Sequence, residues 1–164
     1  MKKTLVVFGS TTGTCEDLAN RIAEKLGADV INVTDLSADN ITAYDNLLLG
    51  TSTWGAGELQ DDWYDGVETL KGADLTGKTV ALFGCGDSAG YGDTFVGGLY
   101  PLYEAAQSAG ATIVGQVSTD GYTYDDSEAV VDGQFVGLAL DEVNEPDQSD
   151  ARIDAWIAAI TPAL

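Results

Sequence analysis

Leu5-Val6-Val7-Phe8-Gly9-Ser10-Thr11-Thr12-Gly13-Thr14-Cys15 is the stretch on which the fold turns. Four consecutive apolar residues read as a strand covered on both faces. Past the Gly/Ser/Thr turn, Leu18, Ile22 and Leu26 recur at i, i+4 and i+8, with Ala19 and Ala23 beside them and Gly27 placed as a C-cap. A buried strand that enters a helix through such a turn is the first half of a βαβ unit. The turn lacks the lysine of a P-loop and the three spaced glycines of a dinucleotide fold. It still suits a phosphate: glycine lets backbone approach closely, a helix N-terminus offers N–H groups and a positive dipole end, and the hydroxyls converge. The alternative is a plain Ser/Thr-rich N-cap turn.

The pattern repeats along the chain. Residues 30–33, 47–50 and 80–83 read as further strands. Helical spacing predicts helices over 61–70 (Trp63, Val67 and Leu70 on one face), 94–109, and 150–160 (Ile153, Trp156, Ile157 and Ile160). A final strand begins over 112–117 and continues over 135–140. Between them 118–134 is an excursion rich in Asp, Gly and Tyr, which Tyr122 and Tyr124 anchor. The sum is one α/β domain over 1–164, an open five-stranded parallel sheet with helices on both faces. Such sheets bind ligands at the carboxyl ends of their strands, which directs attention to the turns after strands one, three and four.

Charge and composition exclude much. The 164 residues carry 27 acids and 7 bases, a net charge of −20, so phosphate backbones and anionic membranes repel the chain. With 45% apolar residues, that charge does not signal disorder. There is no histidine, which removes the common triads and the commonest zinc ligand. Cys15 and Cys85 form no disulfide framework and fit a reducing compartment. The apolar run after Lys2-Lys3 is too short for the roughly 7–15 residues of a signal peptide's core, and no stretch reaches the roughly 18 of a membrane span. The expectation is a cytoplasmic protein that binds neither nucleic acid nor membrane, and a monomer.

Thr51-Ser52-Thr53-Trp54-Gly55-Ala56-Gly57-Glu58 follows the third strand, and Gly84-Cys85-Gly86-Asp87-Ser88-Ala89-Gly90-Tyr91-Gly92-Asp93 the fourth. One aromatic among small residues is usually packing. Two on one edge, facing a phosphate-type turn, suggest a planar ring held between them. These motifs, with Gly57-Glu58-Leu59-Gln60, Thr119-Asp120-Gly121-Tyr122 and Phe135-Val136-Gly137-Leu138-Ala139-Leu140-Asp141-Glu142, make the chain resemble a long-chain flavodoxin from Lys3 to Ile160.

The resemblance implies a flavodoxin-like doubly wound sheet of order 2-1-3-4-5, its last strand interrupted by an insertion, around non-covalent FMN. It implies that the phosphate lies at Ser10, Thr11, Thr12, Gly13, Thr14 and Cys15, with the flavin ring between Trp54 and Tyr91. Thr51, Ser52, Thr53, Gly55, Ala56 and Asp93 complete the pocket, and backbone around Cys85, Gly86 and Asp87 meets the ring's pyrimidine edge. The Gly55–Ala56 peptide is expected to flip on one-electron reduction, which glycine makes easy. Cys15 departs from the family, which usually has Thr there. A thiol is a weak donor, and a helix N-terminus can lower its pKa and make it reactive, but the favoured reading is a small tolerated substitute.

The implied function is a low-potential one-electron carrier, not an enzyme, that shuttles between semiquinone and hydroquinone. About ten acids near the ring edge oppose added negative charge by roughly 50–100 mV. The same charge favours transient complexes with reductases and electron acceptors that bear basic patches. The alternative is an FMN-dependent NAD(P)H:quinone-type reductase on the same fold. A non-redox interaction module, which would be colourless, is a third reading. A hydrolase on Gly86-Asp87-Ser88-Ala89-Gly90 fails for want of histidine, and a receiver domain fails because Thr51-Ser52-Thr53 stands where an aspartate is needed.

Overall fold

A computed structural model of the chain describes residues 2–9, 13–54, 58–59, 61–87 and 95–164, with backbone alone at 53–54 and 58–59. The run 5–8 lies inside strand β1 (Thr4–Gly9), all of which is buried. Because successive side chains leave a strand on opposite faces, Leu5 and Val7 enter one core while Val6 and Phe8 enter another. The same alternation sends Leu47 and Leu49 one way and Leu48 the other. That is why these strands are apolar without interruption.

Strands β2 (Asp29–Asn32) and β3 (Asn46–Trp54) flank β1, both parallel to it. Strand β4 (Glu58–Leu59) folds back antiparallel on the end of β3, and β5 (Thr79–Cys85) lies parallel on its other side. The outer edge of β5 is shared. Strand β6 (Thr112–Val114) pairs with 79–81, and then the chain leaves the sheet. It builds a small antiparallel sheet from β7 (Val117–Ser118), β8 (Val130–Val131) and β9 (Gln134–Phe135), ordered β7-β9-β8. It returns as β10 (Leu138–Leu140) against 83–85. The sheet therefore has the expected order 2-1-3-4-5, its fifth strand split in two by the excursion.

Helix α1 (Thr14–Leu26) packs on the Val6 face. Helices α2 (Ala38–Ala43), α3 (Trp63–Lys71) and α4 (Leu99–Ser108) cover the Leu5 face, and α5 (Pro146–Ile160) returns to the side of α1. Trp63, Val67 and Leu70 are all buried, as their spacing predicts, and Trp63 Nε1 donates to the carbonyl of Gly50 at 2.7 Å. Gly50 leaves room for Phe83, whose ring would stand 2.2 Å from a Cβ there.

Several boundaries differ from expectation: the fourth strand runs on through Gly84 and Cys85, and the halves of the fifth pair in the main sheet only at 112–114 and 138–140. Helix α4 begins at Leu99, not in the mid-nineties, because Val96 has φ 46° and Gly98 caps the helix. Phe95, which has helical spacing with Leu99, instead packs on the excursion. Helix α5 starts at Pro146, four residues before the expected start at 150; proline at the first helical position supplies the preset φ. Strand β3 runs on to Trp54, so Thr51–Trp54 are strand and not loop. Tyr122 and Tyr124 do anchor the excursion: their ring centroids lie 4.9 and 5.3 Å from that of Phe135, and Tyr124 stacks on Phe95 at 5.8 Å. Among the described residues no helix is long and apolar enough to cross a membrane.

Candidate functional site

Register builds the site. Gly9, Thr51 and Gly84 stand side by side at the carboxyl ends of β1, β3 and β5. One step further Ser52, Cys85 and Leu140 form a second row. The chain segments that follow these rows therefore leave from one edge, between β1 and β3, where the strand order reverses.

The segment after β1 leads into α1 at Gly13, whose φ of 89° is a left-handed conformation that glycine adopts without Cβ strain. Among the described residues no atom would lie within 4 Å of a Cβ at Gly13. Asp17 in this first turn turns toward Arg21 at 2.7 Å. Thr14 lies at the helix start, while Ser10, Thr11 and Thr12 fall outside the described residues. After β3 the backbone forms a hairpin, with Thr53 opposite Leu59 and Trp54 opposite Glu58. Gly55 and Ala56, next in sequence after Trp54, lie outside the described residues, as do Tyr91 and Asp93.

Cys15 and Cys85, 70 positions apart in sequence, meet beneath this edge. Both are buried on the α1 face of the sheet. The side-chain hydrogen bond with Cys85, and then burial, push the Cys15 thiol well above its ordinary pKa, while a backbone bond from Gly9 acts the other way. The lowered pKa that a helix N-terminus can impose is thus not found, because the bond to Cys85 and then desolvation raise it, and the buried thiol agrees with the simpler reading of a small substitute for Thr.

Sequence reasoning missed one cluster. Asp87, just past β5, accepts from Asn144 Nδ2 at 2.7 Å, and Asn144 also donates to the buried Asp141. Asp141 Oδ1 takes the backbone N–H of Val143 and Asn144, at 3.1 and 2.9 Å. The signal was present in Asp141-Glu142-Val143-Asn144-Glu145-Pro146: an aspartate that bonds backbone two and three residues on, followed by a proline that opens a helix.

This is a doubly wound α/β protein with a ligand edge assembled at its topological switch point. The family model described as flavodoxin matches residues 6–156. Flavodoxin 1 of Azotobacter vinelandii is 43% identical over 98% of this chain and 96% of its own length. Flavodoxin 1 of Escherichia coli K12 is 42% identical over 100% and 96%. A crystal structure of Fusobacterium nucleatum flavodoxin bound to flavin mononucleotide superposes with a TM-score of 0.94 at 33% identity, covering 100% of this chain and 99% of that one. The chain belongs to the flavodoxin family.

Proposed function

We propose that the three segments leaving the carboxyl edge hold FMN non-covalently, and that the protein is a one-electron carrier and not an enzyme. The observation that carries this is the register that sets the ends of β1, β3 and β5 side by side, next to a helix start at a glycine of positive φ. The donor set fits a nucleotide phosphate: backbone N–H groups at a helix N-terminus, a glycine with positive φ and the hydroxyl of Thr14, with no cation required.

In this reading Ser10, Thr11, Thr12, Gly13, Thr14 and the backbone of Cys15 take the phosphate. Trp54 and Tyr91 enclose the ring, with Thr51, Ser52, Thr53, Gly55, Ala56 and Asp93 around it. Backbone at Cys85, Gly86 and Asp87 meets the pyrimidine edge. Bound flavin supplies the one-electron chemistry; the chain orients it and sets the charge around it. A single domain over 1–164 does all of this, as a cytoplasmic monomer. The related proteins bear the name of a carrier, so the reductase alternative is not kept.

Charge supports redox partners with basic faces. Lys2, Lys3 and Lys78 stand just before β1 and β5, and Lys71 ends α3, all at the amino end of the strands. Asp17, Asp65 and Asp147 occupy first helical turns at the carboxyl end, beside Asp87, Asp141 and Glu142. With a net charge of −20, these acids beside the ligand edge favour cationic partners over membrane and nucleic acid. Titrating the cofactor-free protein with FMN should give one site per chain, quench flavin fluorescence, and yield two separate one-electron steps on reduction. Absence of binding overturns the assignment.

A further inference from the structure

The Asn144 carboxamide lies outside the three segments to which FMN is assigned, yet it joins one of them to the rest of the edge. Its Nδ2 donates to Asp87 Oδ1 at 2.7 Å, across 57 positions of sequence, and to Asp141 Oδ2 and Oδ1 at 3.0 and 3.3 Å. An amide nitrogen has two hydrogens, one for each carboxylate. Two acids that would repel one another are thereby held on either side of a shared donor. Asp141 is fully buried, and through the backbone of Val143 and Asn144 it fixes the turn that presents the amide. A second tie lies alongside: the Gly86 N–H donates to the carbonyl of Leu140 at 3.0 Å. Side chain and backbone together bind the start of the segment after β5 to the turn between β10 and α5.

The geometry points to Asn144 as a positioning residue for the flavin, one that sets the Gly86–Asp87 backbone by clamping the Asp87 carboxylate. This rests on the assignment of Cys85–Asp87 to the ring's pyrimidine edge. The surrounding charges are defined. Glu142 meets Arg21 of α1 at 3.4 Å, Glu145 meets Arg152 of α5 at 3.3 Å, and Asp87 and Asp141 meet the amide. Replacing that amide by a carboxylate would bring a third negative charge between two. Once protonated, the new carboxyl could donate to Asp87 as the amide does.

The experiment compares wild type, Asn144→Ala and Asn144→Asp by FMN titration of the cofactor-free proteins from pH 8 to pH 5, and by redox potentiometry of the loaded ones. Asn144→Ala should weaken FMN about tenfold and move the potential of the second electron. Asn144→Asp should weaken it up to about a hundredfold at pH 8, and should regain most of that relative to Asn144→Ala at pH 5. If Asn144→Ala does not fold by circular dichroism, Asn144→Ser, which keeps one short donor, takes its place with an intermediate loss expected. Wild-type affinity and potentials in the variants overturn the clamp and leave the flavin site standing. So does a loss of affinity that neither recovers on acidification nor alters a potential, since that marks structural support alone. Failure of wild type to bind FMN overturns clamp and flavin site together.

Discussion

The Cys15 thiol, pushed up by Cys85 and by burial, couples stability to alkali. Its folded pKa stands above the unfolded value, so the native state holds the proton longer. The contribution is complete below the unfolded thiol's value of about 8.5 and is lost as pH rises from there toward the folded value. Urea midpoints should fall above about pH 9, and Cys15→Ala should flatten that fall. Tyr122, also pushed up by burial, retains its own share of the slope. An unchanged slope in Cys15→Ala would show that the thiol does not titrate differently on folding. None of this was legible in the sequence, where Cys15 reads as a small substitute for Thr at a helix start. What decides is a neighbour 70 positions away, and no local pattern encodes that distance. The Asn144 clamp was hidden for the same reason. The turn that presents it is written locally, whereas Asp87 arrives from another strand.

Elements were legible wherever the apolar pattern matched the faces that are covered. Continuous apolar runs located β1, β3 and β5 because both faces of each are covered. The split fifth strand was readable because each half retains its own apolar run. Thr51-Ser52-Thr53-Trp54 read as a loop because hydroxyl residues at a carboxyl edge resemble a turn, yet pairing to Gly84, Cys85, Leu59 and Glu58 keeps them extended. The excursion is held by aromatic contact: Phe135 lies 4.9 to 5.9 Å from Tyr122, Tyr124 and Phe95, measured between ring centroids, and Tyr122 donates to the Ala139 carbonyl at 2.6 Å. Phe135→Ala should cost about 3–5 kcal/mol in urea unfolding. Hydrogen exchange should quicken most at β7, β8 and β9, where the small sheet depends on that ring. Equal acceleration across β1 and β3 would mean that excursion and main sheet open as one unit.

At the scale of the molecule, a net charge of −20 sets repulsion against a few exposed ion pairs. Arg21 reaches Asp17, Glu142 and Asp150, and Lys25 reaches Asp154 at 2.6 Å, tying α1 to α5. Such pairs contribute at most about 1 kcal/mol each and weaken in salt. Self-repulsion among 27 acids weakens in salt as well, and it is the larger sum. Thermal midpoints of the cofactor-free protein should therefore rise from about 10 mM to about 0.5 M sodium chloride; a fall would show that the α1–α5 pairs outweigh the repulsion. The divided edge of β5 has a consequence of its own. A polypeptide cut between β7 and β8 yields two pieces, the first ending after β6 and β7, the second bringing β8, β9, β10 and α5. Each piece owns a partner for β5, so the halves, made separately, should find one another and rebuild a working whole, which makes this site a natural place to divide the protein into a reporter of proximity.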